Sequence, residues 1–191
     1  MNAIEEYIRA ASKNGRPPRP GIILAIRMCL LALKRLEMTV PTVEQRRLIV
    51  IVETDRCLPD AVQMVTGCRL ANRTLKLRDM GKMAAAFLNL ETQGAIRIGA
   101  LESANSRALE LYPEREGNDA LSLAYRTLED DDLFHVQSVK IHLPPEDLPG
   151  YRAPRVLCQQ CGEGIAFGRE IRRGGQALCR ACAGDGYYEI L

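Results

Sequence analysis

The chain has 191 residues, 47% of them hydrophobic and 26% charged, which is enough for one full domain and a small appended one. A formal net charge of +2 and the lack of tryptophan exclude the strong basic field of a dedicated nucleic-acid binder. The longest apolar run, Ile22 to Leu33, is too short to span a bilayer and contains Arg27.

Taken in order, Asn2 to Lys13 reads as a short helix closed by Asn14-Gly15. The proline-rich turn from Arg16 to Gly21 follows. Ile22 to Glu37 reads as a second helix, apolar nearly all round, which calls for deep burial or an oligomer interface. Leu48 to Val52 is a continuous apolar run, as in a buried strand. Pro59 to Val65 predicts a helix with proline in its first turn. Strands are expected at Thr74–Leu77, Ala84–Leu90, Ala95–Gly99 and Val136–Leu143, and helices at Ser103–Leu111 and Asp119–Leu128. The mixture lacks regular βαβ alternation and predicts an α+β core over residues 1–145. Four prolines between Pro144 and Pro154 mark residues 146–154 as a linker, leaving 155–191 as a separate module.

That module holds the strongest chemical signal. Cys158 and Cys161 form one Cys-x-x-Cys knuckle, and Cys179 and Cys182 another, with 17 residues between them. The spacing predicts a tetrahedral site for one structural zinc ion, because soft thiolates suit zinc and a two-residue gap aims both sulfurs at one ion. Four protein ligands leave no open position, so the site is structural, not catalytic. The segment from Arg155 onward is too short to bury a stable core, and metal binding supplies the missing free energy. Ile165, Phe167, Ile171 and Leu178 flank Gly174-Gly175 and predict a short hairpin. A helix beginning near Ala181 would complete a treble-clef-like zinc finger, whereas a zinc ribbon would place the second knuckle in another turn.

Charge bears on what the finger touches. From Tyr151 on there are six arginines and four acids, so a zinc with four thiolates brings the module close to neutral. Arg169, Arg172 and Arg173 offer a local patch for nucleic acid, but protein docking fits the neutral balance better. Thiols at metal spacing, with no secretory signal, predict a cytoplasmic protein.

In the core, one stretch runs from Glu53 through Asp55, Cys57, Asp60, Gln63, Thr66 and Gly67 to Cys68, across a strand end and the helix after it. A second runs Arg78-Asp79-Met80-Gly81-Lys82-Met83-Ala84. Cys57, Asp60, Cys68 and Lys82 are the candidate pocket residues. A thiol at a helix start is activated by the helix dipole, and Lys82 suits an anionic group. The bland readings are core packing for Cys57 and Cys68, helix capping for Asp60, and surface pairing with Asp79 for Lys82. Cys29 is read as packing, and His135 and His142 as ordinary strand residues.

These two stretches, with the cysteine tail, resemble the FmdE family of formylmethanofuran dehydrogenase subunits over roughly residues 14 to 100. The resemblance implies an accessory protein of molybdenum or tungsten one-carbon metabolism, a homodimer, and a partner among dehydrogenase subunits or regulators. Typical members carry His-Gly-His-x-Cys-Pro-Gly ahead of the apolar helix. Here Arg19 stands at the cysteine position before Pro20-Gly21, and the histidines are absent. Guanidinium cannot bind a metal, so a second metal in the core is not expected.

Overall fold

The computed structural model describes residues 3–12, 15–39 and 46–189. The chain divides into two compact units, Met1–Ile141 and His142–Leu191.

The first unit is built on a five-stranded sheet. It opens with helices α1 (Ala3–Ala11) and α2 (Pro20–Arg35), then β1 (Leu48–Val52), α3 (Leu58–Thr66) and β2 (Leu75–Leu77). There follow β3 (Ala84–Asn89), β4 (Ala95–Ala100), α4 (Ser103–Leu111), α5 (Gly117–Thr127), α6 (Asp130–Leu133) and β5 (Phe134–Ser138). The strand order is β2-β1-β3-β4-β5. Only β1 and β2 run parallel, joined by α3 as a single βαβ unit, and the other neighbours are antiparallel. The α+β expectation therefore holds.

Side chains alternate across a strand, so one sheet face is set by Leu48, Val50 and Val52. Their register places Ala85, Phe87, Ile96 and Ile98 on the same face. That face packs with α2 into one core, in which Ile23, Ile26, Met28 and Phe87 are fully buried. α2 packs against α1, α3 and α5. Its apolar circumference is thus covered within the chain, which selects deep burial over an open interface.

Arg27 interrupts that apolar surface for a structural reason. Its guanidinium donates to the backbone carbonyls of Tyr125 (3.2 Å) and Leu128 and forms an ion pair with Asp130. A buried guanidinium needs several acceptors, and the end of α5 provides them.

Two expectations shift. The last core strand spans Phe134–Ser138, not Val136–Leu143. It pairs with β4, which begins at Ala95, so beyond the bond from Val139 N to the Ala95 carbonyl no ladder partner remains. The four-residue α6, with acids in its first turn, was not foreseen because it is too short for a periodic signal.

The second unit contains a 3-10 turn (Pro145–Asp147) and two small ribbons. β6 (Val156–Leu157) pairs with β7 (Gly164–Ile165), and β8 (Ile171–Arg173) with β9 (Gln176–Leu178). Gly174 and Gly175 link β8 to β9 with φ of 55° and 82°, the left-handed pair that a two-residue hairpin turn requires. Phe167 departs from the expected hairpin core: it is 46% exposed, whereas Ile165 and Leu178 are buried. The chain after Cys182 also differs from expectation. Among the described residues it makes only a turn, closed by Ala183 N to the Cys179 carbonyl and Gly184 N to the Ala181 carbonyl. Gly184 at φ 91° ends it before a helix can propagate.

Candidate metal centre

The four cysteines converge. The Sγ atoms of Cys158, Cys161, Cys179 and Cys182 all lie within 4.8 Å of one another, and those of Cys161 and Cys179 are 3.9 Å apart. Zinc–sulfur bonds of about 2.3 Å in a tetrahedron imply sulfur separations of about 3.8 Å. The donor set therefore fits a tetrahedral thiolate-bound ion, and the cluster can hold a metal.

Local backbone bonding explains the convergence. Gly162 N donates to the Cys158 carbonyl at 2.9 Å, closing the first knuckle, and Gly162 takes a φ of 78° that favours glycine. The middle of that knuckle is tied to β9. Gln159 N donates to the Ala177 carbonyl (2.9 Å), and Ala177 N returns a bond to Gln159 Oε1 (2.8 Å). This pair brings the first knuckle beside the second. Cys158, Ile165, Leu178 and Ala183 form the only buried apolar cluster of this unit among the described residues, with Ile171, Cys179 and Cys182 packed on it.

Electrostatics prepare the thiols for a cation. Backbone N–H groups of Cys161 and Cys179 aim at Cys158 and lower its pKa to about 6. Cys179 N donates to the Cys158 sulfur at 3.3 Å, and Cys182 N to the Cys179 sulfur at 3.4 Å. Cys182 is pushed up to about 12, chiefly by its contact with the Cys179 thiol. Crowded sulfurs cannot all ionise without a countercharge, and a divalent ion supplies one.

The candidate core residues do not form one pocket. Cys57 sits at the start of α3 with φ 49°, half-buried. Its sulfur faces the first turn of α2: a Cβ placed on Gly21 would lie 3.1 Å from it. Cys68 lies beyond the other end of the nine-residue α3, about 13 Å of helix away. It is buried, and its thiol donates to the Leu48 carbonyl at 3.5 Å. Burial raises the Cys68 pKa, and Cys29 is raised by burial and by the neighbouring Cys68. Cys68 thus belongs with Cys29 in the apolar core. Asp60 is exposed in the first turn of α3, and Asp55 is exposed ahead of it. Among the described residues, no other group of three or more His, Cys, Asp or Glu side chains gathers as a metal-ligand set.

Lys82 lies elsewhere, in an open cleft of about 370 Å³ with Arg97, Glu102 and His135. Beside it is a pair that sequence reasoning passed over. Arg97 donates to both carboxylate oxygens of buried Glu53, Nε at 2.6 Å and Nη2 at 2.7 Å, and Nη1 reaches Gln137 Oε1 at 3.2 Å. The Arg97 guanidinium holds the Glu53 carboxyl below its ordinary value. A charged residue inside the strand Ala95–Ala100 was the available signal. His142 is exposed in the second unit.

The basic patch of the hairpin is largely engaged. Arg169 pairs with buried Asp147 at 2.5 Å, and Arg172 with Glu170 at 3.4 Å. No helix among the described residues is long and apolar enough to cross a membrane.

Comparison with known proteins agrees with this geometry. The sequence profile of the family FmdE, described as "Molybdenum formylmethanofuran dehydrogenase operon", matches residues 19–135. A "Probable S-adenosyl-L-methionine-binding protein" of Archaeoglobus fulgidus is 30% identical over 193 aligned positions, which take in 90% of this chain. The chain spans 50% of that relative's length. The crystal structure of an FmdE-like protein of tungsten formylmethanofuran dehydrogenase from Syntrophus aciditrophicus superposes with a TM-score of 0.65. That match has 27% identity and covers 99% of this chain and 96% of the other. The profile takes in more than half of the residues, and the chain belongs to the FmdE family.

Proposed function

We propose that this protein is a cytoplasmic accessory factor of formylmethanofuran dehydrogenase-type one-carbon metabolism. In this reading its four-cysteine unit binds one zinc ion and docks a protein partner. The observation that carries it is the cysteine quartet, with four sulfurs within 4.8 Å on a unit whose small apolar cluster is built around them. Zinc would hold Cys158, Cys161, Cys179 and Cys182 together and neutralise their charge, giving the unit a fixed surface. Docking of protein is favoured over nucleic acid because Arg169 and Arg172 already pair with acids. Homodimerisation is part of the proposal, through surfaces of the core other than α2.

Elemental analysis of protein purified without added metal tests the site. One zinc per chain is expected, and none in a Cys158→Ser/Cys179→Ser variant. A protein with no zinc, or with iron in its place, would overturn the assignment. Docking is tested by co-purification with dehydrogenase subunits, which the double variant should lose.

A second reading is favoured by the Archaeoglobus relative: the core binds a small molecule of the S-adenosyl-L-methionine class. Calorimetric titration of the purified chain with that compound tests it directly. Saturable heat supports the reading and its absence at millimolar ligand removes it.

A further inference from the structure

The cleft at the Lys82 end of the sheet has a charge pattern that neither the metal site nor the family description accounts for. Its floor is a row across three strands: Ala84 of β3 lies opposite Gly99 of β4, and Gly99 opposite His135 of β5. Two small side chains and an exposed imidazole leave a depression of about 370 Å³, within the range of small-molecule sites. The walls are Lys82, Arg97 and Glu102.

Arg97 is held in place before any ligand arrives. Glu53 occupies its Nε and Nη2 edge, and Nη1 is directed over Gly99, where an added Cβ would lie 3.5 Å from it. A guanidinium has five N–H donors in a rigid fork, so Nη1 keeps a donor beyond the one given to Gln137. Lys82 is positioned by its backbone, whose N–H donates to the Glu53 carbonyl at 3.2 Å and whose carbonyl accepts from Ala84 N at 2.8 Å. Glu102, exposed just ahead of α4, supplies the one acid of the lining.

We propose that this cleft binds the zwitterionic end of an amino-acid-type ligand, its carboxylate at Lys82 and Arg97 and its ammonium at Glu102. The ligand's charges are the reverse of the wall's. A simple anion would leave its charge facing Glu102, and a simple amine would face Lys82. The zwitterion answers both, and the small floor leaves room for the rest of the molecule. This proposal rests on the small-molecule reading and gives it a place, away from Cys57 and Cys68.

The test uses His135, one of two histidines in the chain, as its reporter. Proton NMR of the His135 ring, assigned with a His135→Gln variant, is followed during titration with L-methionine, propionate and propylamine. A saturable shift with L-methionine is expected, with propionate and propylamine each at least about tenfold weaker. Lys82→Ala should weaken L-methionine at least about tenfold. Glu102→Gln should weaken L-methionine similarly and leave propionate unchanged. No saturable shift, equal affinity for propionate and L-methionine, or a Lys82→Ala protein that titrates like the parent would overturn the proposal. Calorimetry with S-adenosyl-L-methionine separates the two failures. Equal heat from the parent and Lys82→Ala would retain the small-molecule reading and reject this cleft.

Discussion

Removing one carboxylate should test the Glu53–Arg97 pair most directly. Glu53 is 7% exposed, and its loss would strand a guanidinium deprived of two acceptors. Glu53→Gln should cost about 3 kcal/mol at neutral pH, the low end for a broken buried pair because Arg97 is partly solvated. The folded-state pKa of Glu53 lies below its ordinary 4.5. Its contribution is therefore complete above that value and is lost as pH falls through the lower folded one. Denaturant melts of the parent and Glu53→Gln should differ fully at pH 7 and converge at pH 3. A constant gap would show that the ion pair is not what stabilises the site. At this scale the sequence was uneven. Two Cys-x-x-Cys knuckles are a local pattern with few alternative uses, so Cys158, Cys161, Cys179 and Cys182 were legible. Cys57 and Cys68 share a motif in one dimension, yet a helix holds them apart, and strand register alone brought His135 beside Lys82.

The close approach of two helix starts supplies a prediction for secondary-structure elements. Gly21 lies in the first turn of α2, and Cys57 precedes α3. Gly21→Ala removes backbone freedom from the unfolded chain, which on its own stabilises by about 0.5–1 kcal/mol. The new methyl, however, would meet the Cys57 sulfur at 3.1 Å. In a Cys57→Ala background the substitution should stabilise, whereas with Cys57 present it should be neutral or worse, a coupling of about 1 kcal/mol. Thermal melts of the four proteins in the cycle measure it, and additive effects would deny the contact. Elements were the best-read level of the sequence. Leu48–Val52 and Ser103–Leu111 coincide with their observed bounds because turn signals or charged residues bracket each run. The last strand was misplaced because its end depends on where β4 begins, which no local pattern of Val136–Leu143 encodes.

For the molecule as a whole, metal removal should act unevenly. Cys29 and Cys68 are buried in the first unit, Cys57 is half-buried, and the other four thiols depend on the metal cluster. With metal bound, an aromatic disulfide reagent should find one readily reactive thiol, Cys57. After chelation it should find five, while far-UV circular dichroism keeps the signal of the core sheet and helices. Seven reactive thiols after chelation would mean that the core opens with the finger. The α+β architecture was visible in the order of apolar runs, but the single parallel pair was not, since β2 is only three residues long.

The position of β1 has a consequence for synthesis on the ribosome. Leu-Ile-Val-Ile-Val is paired on one side by β2 and on the other by β3, which ends 37 residues after Val52. At about 5–20 residues per second, roughly two to seven seconds pass between the emergence of this strand and that of its full antiparallel partner. An apolar five-residue run with strong β-propensity is an aggregation hazard in that interval. Arg46 and Arg47 before it, and Glu53 and Asp55 after it, place charge at both ends, where it disfavours stacking between nascent chains.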